Sequence, residues 1–376
     1  MKKTIIVDGR VLSKPICGIG KYLFNVLKEF EQHPDIFNIE IYTNKPLNPI
    51  YHEIYGFSRV QIKECHNRFW NNSLLWFIVK FQHIILKKTG VIVWGPAAQL
   101  PWFIGRKNKS IITVHDLVHK DYKHTMSIKN RISNLLLTEK SILYADAFWC
   151  VSEYTKEKLL EYNPKLNNRP IMVGSSIDYN FFRSINLSPN ECNKIRERYN
   201  VHSDEKMILF VGTLEPRKNL NFLLKLMPVL DRHKIKLIIV GGKGWKTTSI
   251  VTVINDINFP KNSTIFAGKI DDEELRRLYN VADALCMPSI NEGFGLPILE
   301  AVSCKCNVIC ADNSGMKEID HNLIIRVKGW KEEDWVDAII KAVSTCRPND
   351  VRISNKYLWP NIMQSFYSLI KSLQAR

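Results

Sequence analysis

The sequence predicts an α/β protein made of two doubly wound domains. Three observations lead there. The chain has 376 residues, 45% of them hydrophobic and 24% charged, which is enough for two domains with a full core each. Short apolar runs alternate with amphipathic helical stretches, the pattern of right-handed βαβ units with parallel sheets covered on both faces. The alternation comes in two series, divided within the polar stretch Ser175–Glu205.

In the first series, strands are expected at Thr4–Val7, Ile39–Tyr42, Val91–Trp94, Ile111–Val114, Ala147–Val151 and Pro170–Val173. Each is a short run rich in branched or aromatic residues. Lys21–Phe30 repeats its apolar residues at helical spacing. In the second series the strands are Met207–Val211, Lys236–Val240, Ser263–Phe266, Ala284–Met287 and Val308–Cys310. Helical patterns at Asn219–Leu230, Glu273–Ala282, Pro297–Ser303 and Trp330–Val343 separate or follow them. The expected division is 1–180 and 181–360, with a closing helix at 361–376 packed back on the first domain. Ligands of open α/β sheets sit beyond the carboxyl ends of the strands, so a cleft between the two domains is the expected site.

Composition narrows the function. Disorder, collagen-like repeats and a small disulfide scaffold are excluded. The nine scattered cysteines suit a reducing compartment. The apolar run after Met1-Lys2-Lys3 ends at Asp8, too early for a signal peptide. The longest apolar stretch, Leu74–Leu86, contains Lys80, Gln82 and His83 and is shorter than the ~20 residues a spanning helix needs. A cytoplasmic location is expected. The net charge is +16 with histidine neutral, and residues 1–170 carry 25 basic and 14 acidic residues. That excess suits an anionic partner such as a lipid surface, or simply a solvated face. No zinc-finger spacing, homeodomain helix or RNA-binding aromatic motif accompanies it, so nucleic acid is not expected. Leu74–Leu86, with Arg68, Lys80, Lys87 and Lys88 around it and Trp70 and Trp76 nearby, reads equally as a core helix or as a basic amphipathic helix at a membrane surface.

The strongest local signal is Pro288-Ser289-Ile290-Asn291-Glu292-Gly293-Phe294-Gly295-Leu296-Pro297-Ile298-Leu299-Glu300-Ala301, between a strand and a helix. Pro297 suits a first helical turn. The glycines allow close backbone approach, and the N–H groups of a helix start face an anion. Glu292 would stand in the loop and Glu300 about one turn into the helix. Two carboxylates around an anion site are poor phosphate ligands but good acceptors for pairs of hydroxyls. A diphosphate with a sugar on one side and a ribose on the other would satisfy both. Arg217 and Lys218 lie in the loop after the strand ending near Gly212 and before a helix; two cations there can hold a diphosphate and stabilise its charge as it leaves. No acidic triplet of metal-binding type is evident, so no metal cofactor is expected.

The Glu292-Gly293-Phe294-Gly295-Leu296-Pro297 run with Glu300 resembles the signature of retaining glycosyltransferases of family 4, of GT-B fold. The ordered landmarks Gly18-Ile19-Gly20, Thr113-Val114-His115-Asp116-Leu117, Val151-Ser152-Glu153, Gly212 through Asn219 and Phe266-Ala267-Gly268 extend the resemblance over most of the chain. It implies that Arg217 and Lys218 contact the nucleotide diphosphate and that Glu300 holds the ribose hydroxyls. Glu292 would bind hydroxyls of the transferred sugar, and Phe294, Gly295 and Leu296 the distal phosphate. Gly268 and Lys269 would meet the base. Gly212 ends its strand at the donor, His115 works near the donor sugar, and Gly18 and Gly20 form a tight loop before a helix, over the phosphates.

Two places depart from the pattern. Gly174-Ser175-Ser176-Ile177-Asp178 replaces the usual Asn-Gly-Val-Asp, and Asn313 to Ile319 lacks the proline that commonly precedes Glu318; no donor contact is carried onto either. The run Gly212 to Asn219 looks most like bacterial mannosyltransferases that use GDP-mannose for O-antigen or capsule. The acceptor would then be a polyprenyl-diphosphate-linked saccharide. UDP-linked glucose, galactose or N-acetylhexosamine remain open as donors, as does a non-catalytic basic module that binds membrane or nucleic acid.

Overall fold

A computed structural model describes residues 3–15, 17–32, 37–117, 137–242, 244 and 248–374. They fall into two compact units, the first holding residues up to 117, 137–176 and those from 355 onward, the second 177–354.

The first unit is built on a seven-stranded sheet of order β3-β2-β1-β4-β5-β6-β7. Its strands are β1 (Lys3–Asp8), β2 (Phe37–Thr43), β3 (Val60–Glu64), β4 (Ile92–Gly95), β5 (Lys109–Val114), β6 (Ala147–Cys150) and β7 (Ile171–Val173). All pairs are parallel. Parallel strands are covered on both faces, and the buried residues divide by alternation. Ile5, Val7, Ile92 and Trp94 join one cluster, while Ile6, Val93 and Ile112 join the other. The first cluster is closed by the C-terminal helix Trp359–Gln374, whose Trp359, Ile362, Met363, Phe366, Leu369, Ile370 and Leu373 belong to it. Trp94 and Trp149 stack at 5.7 Å, and Phe366 lies 5.9 and 5.1 Å from them. The second cluster contains Trp76, Phe77, Phe81 and Ile85 from the helical run 73–86, so Trp76 is a core residue, and Trp70 is half-buried against the same cluster. Trp76 thus lies inside the core, off any exposed face.

The second unit holds a six-stranded sheet of order β10-β9-β8-β11-β12-β13: β8 (Lys206–Val211), β9 (Ile235–Val240), β10 (Thr264–Gly268), β11 (Ala284–Met287), β12 (Asn307–Ala311) and β13 (Ile324–Val327). These pairs too are parallel. The expected strands all form within a residue or two. The two strands the sequence reading lacks, β3 and β13, lie at sheet edges. β3 alternates apolar and polar residues over five positions, and β13 is four residues long; so short a pattern gives little periodicity to detect. Helix Pro189–Arg198, capped reciprocally by Ser188 and Glu191, occupies the polar stretch between the sheets.

Each sheet reverses its strand order once, between β1 and β4 in the first and between β8 and β11 in the second. Loops diverge at such a point and leave a crevice at the carboxyl ends of the strands. The sequence motifs converge on these two crevices.

Candidate active site

In the second unit the loops after β8 and β11 meet. Pro216–Lys218 form a single 3-10 turn, and Asn219, with φ +55°, starts the helix Leu220–Arg232. Ile290 donates its backbone N–H to the carbonyl of Arg217 at 2.8 Å, which ties the two loops together. Glu292 lies beneath both cations. Arg217 donates to Glu292 Oε2 at 2.9 Å, to the Asn291 carbonyl at 2.7 Å and to Glu215 at 2.6 Å. Lys218 reaches Glu292 Oε1 at 2.5 Å. The four side chains are 8–14% exposed, so two cations and two carboxylates form a nearly buried, charge-balanced cluster. Burial alone would raise the Glu292 pKa, but Lys218, and after it Arg217, outweigh that and hold the carboxyl down at about 2. Glu292 is therefore ionised at neutral pH. Its carboxylate, expected to face sugar hydroxyls, already holds the two cations expected to face phosphate.

The backbone around the cluster is braced from β12. Glu292 N–H donates to Ser314 Oγ at 3.0 Å, and Gly315 N–H to the Glu292 carbonyl at 3.0 Å. A Cβ on Gly315 would sit 2.1 Å from the Gly293 carbonyl oxygen, so only glycine fits there. Gly295, at φ +106°, caps the helix Leu296–Ser303, with Pro297 in its first turn. Phe294 is buried, and Leu296 opens the helix. Glu300 is buried farther along and accepts from the Tyr279 hydroxyl at 3.0 Å. Burial, then the charge of Glu300, raises the Tyr279 pKa well above its usual value, so the phenol keeps its proton and donates it in a hydrogen bond.

On the other side of β8, Gly212 (φ +153°) lies below the Lys218 stem, where a Cβ would approach Cε to 3.4 Å. Gly241 donates its N–H to the Gly268 carbonyl at 2.8 Å, and a Cβ on it would clash with the Gly212 carbonyl at 1.9 Å. Lys269 packs over Gly242, whose Cβ would lie 2.4 Å from Lys269 Cε. The ends of β8, β9 and β10 thus carry a floor of glycines. The sequence reading found Gly212 and Gly268 but not Gly241 and Gly242, although two glycines straight after a buried strand were the signal. It also left out Glu215, Tyr279, Ser314 and Gly315.

His115 belongs to the first unit, at the end of β5. Its Nε2 is 2.8 Å from the Pro96 carbonyl oxygen. A carbonyl only accepts, so Nε2 carries the proton and Nδ1 is the ring's acceptor. The Tyr22 ring meets the imidazole edge-on at 5.0 Å. Burial lowers the His115 pKa against the smaller opposing effects of Pro96 and Asp116, keeping the ring neutral. Gly18 and Gly20 are not a loop before a helix. They are the first and third residues of the helix Gly18–Gln32. A Cβ on Gly20 would come 2.5 Å from the Tyr51 hydroxyl, so Gly20 is needed for packing, while Gly18 faces open space. The crevice of this unit is braced by a pair the sequence reading did not single out. Buried Arg10 donates to Asp8 at 2.7 Å, to Gln99 at 3.0 Å and to the Ser73 carbonyl at 3.3 Å.

A cation pair at a strand-order reversal, two buried carboxylates and a second sheet of the same design are the features of a glycosyltransferase of GT-B fold. Residues 192–357 match the sequence model of the family Glycosyl transferases group 1, and the chain carries that glycosyltransferase domain. It is 25% identical to O-antigen chain mannosyltransferase B of Escherichia coli, over 84% of each chain. It is 29% identical to O-antigen chain mannosyltransferase RfbU of Salmonella typhimurium, over 61% of this chain and 59% of that protein. Among solved structures, Anabaena Alr3699/HepE in complex with UDP and glucose matches over 100% of both chains, with a TM-score of 0.72 at 14% identity. Among the described residues no helix is long and apolar enough to cross a membrane.

Proposed function

We propose that the protein is a retaining hexosyltransferase that moves mannose from GDP-mannose to a hydroxyl of a polyprenyl-diphosphate-linked saccharide, in the synthesis of a surface polysaccharide such as O-antigen. The reading gives it a cytoplasmic location, peripheral on the membrane, and no metal cofactor. The observation that carries it is the cation pair Arg217–Lys218 over Glu292 at the strand-order reversal. Fixed cations beside a leaving diphosphate supply the charge stabilisation that a divalent metal would otherwise bring. In the proposed reaction the acceptor oxygen attacks the anomeric carbon on the face that the diphosphate leaves. The bond from that carbon to the phosphate oxygen breaks, and the acceptor's proton passes to the departing phosphate. Glu300 takes the ribose hydroxyls, with Tyr279 holding its other side. Phe294, Gly295 and Leu296 lie along the distal phosphate, Gly268 and Lys269 at the base, and neutral His115 accepts from a sugar hydroxyl.

The donor reading draws on the mannosyltransferase relatives. A UDP-sugar is the second reading, favoured by the likeness to a structure that holds UDP and glucose. Thermal denaturation with GDP, UDP and ADP, against Glu300→Ala, tests both. A ligand at 100 times its Kd stabilises by ~2.7 kcal/mol. Stabilisation by GDP that is lost in Glu300→Ala is the expected result. Preference for UDP would overturn the donor, and no response to any nucleotide would overturn the assigned site.

A further inference from the structure

Between Glu64 and Asp116 the chain carries seven Lys and Arg residues and no Asp or Glu. The same segment, with residues 140–144, leaves several large apolar side chains in solvent. In the helical run 73–86, Trp76, Phe77, Phe81 and Ile85 are buried, whereas Leu75 (40%), Val79 (48%) and Leu86 (52%) are exposed. The exposed three fall on one helical stripe with Gln82. Gln82 fastens the next loop to that stripe, accepting from Phe103 N–H at 2.9 Å and donating to the Phe103 carbonyl. Trp102 and Phe103 project from this loop at 45% and 64% exposure, and Tyr144 stands beside them at 70%. All three rings surround one cation, with Lys140 Nζ 5.0, 5.4 and 5.9 Å from their centroids. Arg106 and Lys107, both exposed, follow directly.

A single exposed leucine needs no explanation, but a group of exposed apolar side chains beside a cluster of basic residues does. We propose that this face docks on the surface of an anionic phospholipid bilayer. Aromatic rings with a polar edge belong at the headgroup level. An exposed apolar stripe on a basic helix lies in the plane of the interface without spanning. The cations give the contact its sign, since an anionic leaflet attracts each nearby Lys or Arg with ~1 kcal/mol. Among its exposed charges Arg106 and Lys107 follow the aromatic loop directly, and a nearby carboxylate, Glu139, begins the helix that carries Lys140 and Tyr144. The surface differs from the one expected of the 74–86 helix in the sequence, because its aromatic anchors come from the loop holding Trp102 and Phe103 and from the end of the helix Glu139–Tyr144.

The test is co-sedimentation of the full chain with vesicles of phosphatidylcholine alone and of equal parts phosphatidylcholine and phosphatidylglycerol. Wild type should bind the second and not the first. Arg106→Ala with Lys107→Ala should weaken binding about 30-fold, the equivalent of two lost cation contacts. Trp102→Ser/Phe103→Ser/Tyr144→Ser should lose it by more than tenfold even at low salt. Ile257→Ser, at a 96% exposed apolar position of the second unit, should bind as wild type does. Hydrogen exchange on wild type needs no variant, and vesicles should protect residues 75–86 and 101–107. Equal binding to both vesicles, protection elsewhere, or an undiminished triple variant would overturn the proposal. So would a wild-type dimer that the triple variant converts to monomer, since the face would then join two copies of the chain.

Discussion

The two units are built on one plan, a parallel sheet with a single strand-order reversal, yet they equip its crevice differently. In the second unit the ends of β8 and β11 are held by charge: Arg217 and Lys218 share Glu292, with Glu215 as Arg217's other carboxylate partner. In the first unit one buried ion pair, Arg10 with Asp8 at the end of β1, stands beside a core of aromatic packing. Trp94, Trp149 and Phe366 form a stack, Tyr22 lies 5.4 Å from Trp149, and His115 stands against Tyr22. Nearly buried charges hold their geometry only when every partner is present, so one deletion leaves the others uncompensated. An aromatic stack distributes its contacts over many atoms and is broken only by removing volume. The cation cluster of the unit that would hold the charged donor is therefore sensitive to charge, and the aromatic core of the other to shape.

Phe366→Ala should break the first unit most severely. Truncating a fully buried phenylalanine costs about 3–5 kcal/mol, and this one joins the C-terminal helix to Trp94, Trp149 and Phe30. Urea denaturation checks it; a loss below about 1 kcal/mol would mean that the helix Trp359–Gln374 is dispensable to this core. Arg217→Ala should act in the opposite way, on rate. Loss of one donor to a developing anion lowers turnover by about 10² to 10³. If steady-state kinetics with the donor varied moved only KM, the arginine would bind ground and transition states alike.

The acid limb of stability separates the units further. Glu292 titrates at about 2 in the folded protein and near 4.5 when unfolded. Its contribution is complete above the unfolded value and is lost as the pH falls through the folded one. The difference corresponds to about 3 kcal/mol. Glu292→Gln should be less stable than wild type at neutral pH, and the gap should close as the pH falls toward about 2. It should also be stabilised more by nucleoside diphosphate than wild type is, because the phosphates no longer compete with a carboxylate for Arg217 and Lys218. An acid limb of stability unchanged by the substitution would show that the pairing adds nothing to folding.

The same contrast decides what could be read in the sequence. Central strands such as Met207–Val211 were legible because their residues are buried on both faces and apolar throughout, while β3 and β13, short and at sheet edges, were not. Arg217, Lys218, Glu292 and Glu300 stood out as charged residues beside glycines in loops after strands. Their pairing with one another did not, since a one-dimensional pattern shows which loops follow strands but not which loops meet. That required the sheet order, which places β8 beside β11. Gly18 and Gly20 read as a loop because glycine is a poor helix former, but packing overrides propensity at Gly20, where the Tyr51 hydroxyl occupies the place of a side chain. The aromatic face was misplaced for a similar reason. Trp70 and Trp76 and Trp102 are alike in the sequence, and only the fold turns the first two inward.

The smallest expected effect probes the one residue of the first unit that is assigned to the donor. His115 Nε2–H donates to Pro96, so Nδ1 is left to accept. His115→Phe keeps a ring against Tyr22 and removes that acceptor. The loss of one neutral hydrogen bond, about 1 kcal/mol, lowers turnover about fivefold. Because burial depresses the pKa of His115, the native ring stays neutral below the pH at which an ordinary histidine becomes charged, and wild-type turnover should stay level as the pH falls from roughly 7.5 to 6. A decline over that range that His115→Phe abolishes would show that the ring takes up a proton. Its place would then be that of a cation facing phosphate, and the first unit would carry a working charge at His115 beside the structural pair of Arg10 and Asp8.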